Sequence, residues 1–406
     1  MKIKNIESIV KNKNCTGCGV CQLMCQTGAI SFEEDCEGFK SPRIAASKCI
    51  GCGVCLRKCP SEVPVKRHSV KLGEFYIVQS KEHWKVKKSA SGGVFYTIAK
   101  YFINELQGVV FGVAFDKDNI AKHIYTERLA ELPKMQNSKY VQSDLGNSFK
   151  MVKKFLKDGR YVLFSGTPCQ VAGLYAYLRK SEERLFTADI ICHGVSSPRL
   201  LQKQIEEYSH LRKGKIQGIF FRHKHFLFPS ESLFYMVMKV KYGLPIVRNP
   251  NDTPYFNIFL KGLGFRESCY NCQYANENRV GDFTMGDCDS HRLYPQFHPN
   301  ESNSSLMLNS VKAKEMWNKK LHYLFDSQPL DIAKEIEYNK QLHSPSARPD
   351  IRDKIYCELQ ELPWGEFAKK YARQPTTVMK ARSYLALVMP FFIIKVWSKR
   401  NEQKNI

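Results

Sequence analysis

The chain has 406 residues, 43% of them hydrophobic and 25% charged, enough to bury ordinary cores, and no apolar run of about 20 residues suggests a membrane-spanning helix. The formal charge of +23 invites a nucleic-acid reading, but the cations are spread along the whole chain and no zinc-finger or RNA-recognition motif accompanies them, so nucleic acid is not expected as a partner. Fifteen cysteines follow a polar start, MKIKNIESIVKNKN, that lacks signal-peptide character; a cytoplasmic protein using metal or redox chemistry is expected, rather than a disulfide framework.

Residues 15–25, CTGCGVCQLMC, and 49–60, CIGCGVCLRKCP, repeat the spacing Cys-x2-Cys-x2-Cys-x3-Cys. This is the pattern of a bacterial ferredoxin holding two [4Fe–4S] clusters. Three cysteines at short gaps wrap one cubane, the small residues Gly17, Gly19, Gly51 and Gly53 let backbone N–H groups approach, and the fourth cysteine of each run reaches the other cluster. Cys15, Cys18, Cys21 and Cys59 are therefore assigned to one cluster, and Cys25, Cys49, Cys52 and Cys55 to the second. A pair of zinc sites is the competing reading; the x3 gap ahead of Pro60 argues against it. Gln26 stands where this pattern usually has proline, and Cys36 is expected to carry no metal. An α+β ferredoxin-like two-cluster module over 1–68, serving one-electron transfer, is the result.

From 69 to 345 short β-rich runs alternate with helical ones. Strands are expected at 73–80, 109–115, 161–165, 185–192 and 215–221, and helices at 92–106, 147–157, 168–179 and 197–212. An α/β domain with a mixed sheet follows. SASGGV (89–94) opens its first helix; a serine cap with flexible glycines is the simpler reading, and a phosphate cradle the alternative. No GxGxxG and no P-loop is present. Cys169 sits in the turn after one strand and Cys192 at the end of the next, so both fall where α/β sheets gather their sites. Together with the CYNC pair, Cys269 and Cys272, they would make a four-thiolate set. Unrelated buried cysteines, and a nucleophilic Cys169, stand beside that reading.

The motifs SASGGVFYTIAKYF, FSGTPCQVAGLYAYL, DIICHGVSSP, FFRHK and CYNCQYANENRVGDFTMGD, in that order, resemble the coenzyme F420 hydrogenase/dehydrogenase beta-subunit family over roughly residues 8–325. The resemblance implies a flavin-binding α/β domain holding FAD, and makes Cys169, Cys192, Cys269 and Cys272 ligands of a third [4Fe–4S] cluster beside it. It also implies flavin contacts at Ser91, Gly92 and Gly93, with Gly166, Thr167 and Gln170 around the ligand turn. Arg222 and Lys224 become neighbours of flavin or substrate, and His193 the candidate catalytic residue, because a cation near a flavin stabilises its reduced anion. One departure stands out: GDCDS (286–290) places Cys288, Asp289 and Ser290 where many relatives have an aromatic residue and a glycine. The substrate is therefore expected to differ from theirs, and use of the deazaflavin is in doubt.

Residues 346–406 carry no motif of that family. SYLALVMPFFIIKVW (383–397) is apolar, interrupted by Pro390 and flanked by Lys380, Arg382, Lys395, Lys399 and Arg400. Peripheral contact with an anionic membrane on its inner face and docking onto the chain's own core are the two readings. The expectation for the whole is an iron–sulfur flavoprotein oxidoreductase exchanging electrons between a redox partner protein or ferredoxin and a small organic substrate or deazaflavin. A non-catalytic electron-transfer subunit is the alternative. Each four-thiolate cluster carries roughly −2, so three would bring the net charge to about +17 and leave acidic redox partners favoured.

Overall fold

The computed structural model describes residues 5–180, 182–224, 234–298 and 301–388. In the N-terminal module, β1 (Ile30–Glu34) and β2 (Lys40–Ile44) form an antiparallel hairpin. It packs with two four-residue helices, Val20–Leu23 and Val54–Arg57. Each helix opens on a glycine in the left-handed region, Gly19 at φ +78° and Gly53 at φ +68°. A side chain there would meet the Cβ–carbonyl clash that disfavours left-handed backbone. The repeat in the sequence is thus a repeat of backbone shape.

The main domain is built on eight strands: β3 (Glu74–Ser80), β4 (Val109–Phe115), β5 (Ala121–Thr126), β6 (Val162–Gly166), β7 (Leu185–Ile190), β11 (Phe283–Asp287), β12 (Ser304–Leu308) and β13 (Phe325–Pro329). Their order is β13-β3-β12-β11-β7-β6-β4-β5. Four central strands, β4, β6, β7 and β11, run parallel; the outer four pair antiparallel. The sheet is mixed, as expected. β4 and β6 are largely buried on both faces and so read as nearly continuous apolar runs. On β6, Leu163 joins Ile98, Phe102 and Phe186 in one core, while Val162 and Phe164 join Phe149, Val171 and Leu174 in the other.

A smaller antiparallel sheet, β10-β9-β8, comprises β8 (Ile216–Lys224), β9 (Phe234–Val240) and β10 (Ile246–Arg248). Its core includes Leu200 and Leu201 from the helix Pro198–Leu211 and Phe256 from Pro254–Leu260. Ile355 and Tyr356 of the helix Arg352–Glu361 and Phe367 of Trp364–Tyr371 belong to the same core. Packing is thus continuous across residue 345, where the family-like motifs end. The helix Thr377–Val388 leans on β10, with the Tyr384 hydroxyl donating to the Pro245 carbonyl. Most of the apolar segment, with Lys395, Lys399 and Arg400, lies outside the described residues. Among the described residues no helix is long and apolar enough to cross a membrane.

Candidate metal centres and the adjoining polar edge

Cys15, Cys18 and Cys21 come from the loop that leads into Val20–Leu23, and Cys59 arrives from the far end of the second repeat. All four line one small cleft, with Gly17 and Gly19 supplying bare backbone. Burial pushes the Cys18 thiol up to about 12, and the neighbouring Cys59 and Cys15 add to it. Cys21 is raised further, by burial and then by Cys18, Cys15 and Cys59. Thiols held out of water, as Cys18, Cys21 and Cys59 are, gain most from a cationic metal core, which requires thiolates. The donor set fits an iron–sulfur cluster.

The second set lies outward. Cys49 and Cys52 are exposed, and Cys25 and Cys55 half-buried. Cys25 and Cys55 pack against the small core of Ile6, Ile9 and Ile30 that also holds Cys21 and Cys59. The Cys25 sulfur meets the Thr27 hydroxyl at 3.6 Å and accepts the Ala29 N–H at 3.3 Å, and these bonds, Thr27 first, hold its pKa below the ordinary thiol value despite some burial. Cys36 is exposed in the β1–β2 hairpin turn.

The third set assembles from three separate segments. β6 ends at Gly166, and Thr167 caps the helix Pro168–Leu178 with a reciprocal capping box through Gln170. Proline at the first helical position completes the start signal and leaves Cys169 in the first turn. The Thr167 hydroxyl lies 3.1 Å from the Cys169 sulfur. Cys192 follows β7, the parallel neighbour of β6. Cys269 and Cys272 sit on and just beyond the short helix Glu267–Asn271. Burial lifts Cys169 and Cys269 to about 12, with the Cys272 thiol also raising each. Cys192 is raised well above the ordinary thiol value by burial, then by Cys269, Cys169 and Cys272. The four therefore act on one another. Among the described residues no three His, Cys, Asp or Glu side chains converge on one ion. A tetrahedral zinc would draw its sulfurs to ~2.3 Å from a single atom, whereas a cubane spreads four thiolates over four irons.

The first and third sets adjoin. Cys169 contributes to the raised pKa of Cys18, and a Cβ placed on Gly173, one turn beyond Cys169, would lie 3.0 Å from the Cys18 Cβ. The segment carrying Cys269 and Cys272 also bolts the module down. Arg266 donates from Nε to the Cys15 carbonyl at 2.6 Å, from Nη1 to Gln142 at 3.0 Å and from Nη2 to Ser41 at 3.1 Å. Ser268 donates to the same Cys15 carbonyl, while Gln273 and Tyr274 donate to the Pro60 carbonyl beside Cys59.

The residues expected around a flavin gather at the carboxyl edge of the sheet in part. Gly92 fits where a Cβ would stand 2.6 Å from the Val78 carbonyl oxygen, and its N–H donates to the Ser304 hydroxyl at 2.8 Å. Ser91 donates to the Asn303 carbonyl. Lys224, at the end of β8, is buried and donates to the Ser91 carbonyl at 2.8 Å, so it meets the SGG turn. Arg222 is buried and forms an ion pair with Asp287. His193 is exposed at the rim; desolvation by the surrounding protein lowers its pKa while Asp287 opposes that shift. Gln170 faces away from this cation group: its amide donates to Ser143, which meets His123 Nδ1 at 3.2 Å. The His123 ring stacks on Phe164, and burial holds it down at about 4, so it is neutral. Cys288 is buried in a separate small core with Ile77 and Leu330.

The sequence reading missed the segment 137–143, NSKYVQS. Asn137 clamps the backbone of Arg222 in both directions, at 2.9 and 3.2 Å. Burial lowers the Lys139 ammonium to about 7; it donates to the carbonyls of Lys134, Gln136 and Asn137. Burial raises Tyr140 while Arg222 beside it opposes the shift, and Gln142 donates to the Thr16 carbonyl. The only signal in the sequence was an aperiodic polar run between two structured stretches.

Residues 159–324 match the family described as the C terminus of the coenzyme F420 hydrogenase/dehydrogenase beta subunit, and residues 14–63 match the 4Fe-4S dicluster domain. No curated protein matches the chain by sequence. Among solved structures, the chain is similar to one from the F420-reducing [NiFe] hydrogenase complex of Methanosarcina barkeri, at 14% identity and a TM-score of 0.46, covering 77% of this chain and 97% of that one. Cys169, Cys192, Cys269 and Cys272 and the Arg222–Asp287 pair all lie inside the segment that matches the coenzyme F420 hydrogenase/dehydrogenase beta-subunit family, and both N-terminal cysteine runs lie inside the segment that matches the 4Fe-4S dicluster domain.

Proposed function

We propose that the chain is an iron–sulfur flavoprotein oxidoreductase that exchanges single electrons with a redox partner protein at its N-terminal module and a hydride with a small organic substrate or deazaflavin at the carboxyl edge of its main sheet. The observation that carries this reading is the close approach of Cys18 to Gly173, one turn beyond Cys169 on the same helix, which brings the module's inner cysteines near those of the sheet edge. [4Fe–4S] clusters held by Cys15, Cys18, Cys21 and Cys59, by Cys25, Cys49, Cys52 and Cys55, and by Cys169, Cys192, Cys269 and Cys272 supply one-electron chemistry. FAD supplies the exchange between single electrons and hydride.

The chain's own residues prepare the site. Arg266, Ser268, Gln273 and Tyr274 fix the backbone beside Cys15 and Cys59, so the spacing of the two sets does not drift. Lys224 holds the SGG turn at the start of the helix Val94–Asn104. Among the described residues, the N–H groups of Val94, Phe95 and Tyr96 take no acceptor, so that turn has donors left for a phosphate or a flavin oxygen. Arg222, buried and paired with Asp287, puts a guanidinium near this edge, and a cation there favours an anionic reduced ring. His193, exposed at the rim and held below its usual pKa, is the candidate to move a proton to or from substrate.

Anaerobic iron, sulfide and flavin analysis of the purified chain tests this. The expected result is about twelve irons and one FAD per chain. Iron without flavin would reduce the protein to an electron-transfer subunit; flavin with only about eight irons would remove the third cluster.

A further inference from the structure

The N-terminal module is polarised in charge. Its acidic hairpin turns inward: Glu34 pairs with Arg199 at 2.6 Å, and Glu37 with the buried Arg352 at 2.6 Å. Its outward face carries the opposite sign. Lys48, Arg57 and Lys66 are exposed and Lys58 half-buried, and none of them forms an ion pair among the described residues. Between Ser41 and Arg67 there are six basic residues and one acidic one, Glu62.

Two of these cations sit beside the exposed cysteine set, Lys48 next to Cys49 in the chain and Arg57 over the second loop. Cys49 and Cys52 are exposed, and the Arg57 guanidinium lies 3.0 Å from where a Gly53 Cβ would stand, over the loop that carries Cys52 and Cys55. Two apolar side chains of the same repeat are exposed: Ile50, between Cys49 and Cys52, by 71% and Val63, four residues after Cys59, by 50%. An apolar centre with a charged rim at an exposed redox group is the pattern of a transient electron-transfer interface, in which charge steers the encounter and a small dry contact sets the distance.

We infer that this face docks an acidic one-electron carrier protein, with Ile50 and Val63 at the centre of the contact and Lys48, Arg57, Lys58 and Lys66 pairing with carboxylates of the carrier. The inference rests on the reading of Cys25, Cys49, Cys52 and Cys55 as cluster ligands. In the exchange the carrier gives up one electron and leaves oxidised by one; the module gains that electron, and no bond or proton is transferred.

The test uses the full iron-loaded chain and an acidic bacterial [4Fe–4S] ferredoxin, chemically reduced, as the probe. Stopped-flow reduction should slow about tenfold or more between about 20 mM and about 300 mM salt. The variant Lys48→Glu/Arg57→Glu/Lys66→Glu should slow it by about tenfold at low salt, and Lys48→Gln/Arg57→Gln/Lys66→Gln by less. Both variants should keep the iron content and visible spectrum of the parent and should be photoreduced by neutral 5-deazariboflavin at its rate. Co-elution with the oxidised ferredoxin should weaken in the same order.

Iron-loaded protein whose reduction and co-elution ignore both salt and charge reversal would overturn the docking face alone. Protein without iron in the N-terminal module would overturn the cluster reading, and the docking face with it. Salt-dependent binding to duplex DNA or phosphatidylserine vesicles, with no response to the ferredoxin, would overturn the choice of occupant.

Discussion

The two inner cysteine sets differ in how the chain builds them. Three of the four cysteines at the module centre lie within one seven-residue loop, Cys15 to Cys21, and only Cys59 is distant. The set at the sheet edge draws single cysteines from the ends of β6 and β7 and a pair from the segment after Phe265, so its geometry depends on strand register and on the Arg266 clamp. A locally built site survives local damage elsewhere; a site built by topology fails when any of its supports moves. The comparison also explains the bonding between them, since the segment bearing Cys269 and Cys272 is the one that grips Cys15 and Pro60.

The sharpest way to separate the two is ligand replacement. Cys192→Ser in the full chain should lower iron from about twelve to about eight per chain while the module keeps its spectrum, measured by anaerobic iron assay and EPR. Loss of all iron would show that the two sets form one cooperative unit. No change would remove Cys192 from any ligand set.

The next largest effect concerns the support between the regions. Arg352 is almost fully buried, donates to the Phe265 carbonyl and grips both oxygens of Glu37. Arg352→Met should cost about 3 kcal/mol in urea unfolding, because it leaves Glu37 and a carbonyl unpaired. The proteolytic cut that appears first should fall near residues 61–68, where the module joins the main domain. A change below about 0.5 kcal/mol would show that the clamp is not needed to hold the two regions together.

pH gives a smaller, signed effect at the sheet. His123 is buried, neutral and held at about 4, against an ordinary value of 6.5. Between those values the unfolded chain binds a proton that the folded chain does not. Stability is therefore full above pH 6.5 and falls as pH drops toward 4, by at most about 1.4 kcal/mol per pH unit. His123→Gln should flatten the curve over roughly pH 5.0–7.5; an unchanged slope would place the sensitivity in other groups.

The smallest expected effect probes the repeat itself. A Cβ on Gly19 meets nothing within 4 Å, so Gly19→Ala carries only the cost of left-handed backbone, about 1 kcal/mol. Gly53→Ala should cost about the same, with the added need for the Arg57 guanidinium to shift. A difference above about 2 kcal/mol, by thermal unfolding, would show that the repeats are not equivalent in energy.

Spacing alone singled out eight cysteines of the module as candidate ligands, because a cubane needs sulfurs at fixed short gaps and the chain supplies them locally. Apolar runs also placed β4, β6 and β7, since strands buried on both faces cannot hide their composition. The outer strands β12 and β13, SSLML and FDSQP, were not legible: short edge and near-edge strands take their pairing from neighbours rather than from a pattern of their own. The meeting of Cys169, Cys192, Cys269 and Cys272 depended on parallel register between β6 and β7, which sequence suggests but only pairing fixes. Asn137 and Lys139 were invisible for the same reason, because the significance of Asn137 lies in its bonds to Arg222 on another sheet and that of Lys139 in its burial. The sequence by itself determined which cysteines are candidates to hold iron; the tertiary structure decided which of them stand side by side, because desolvation and charge coupling act through space and not along the chain.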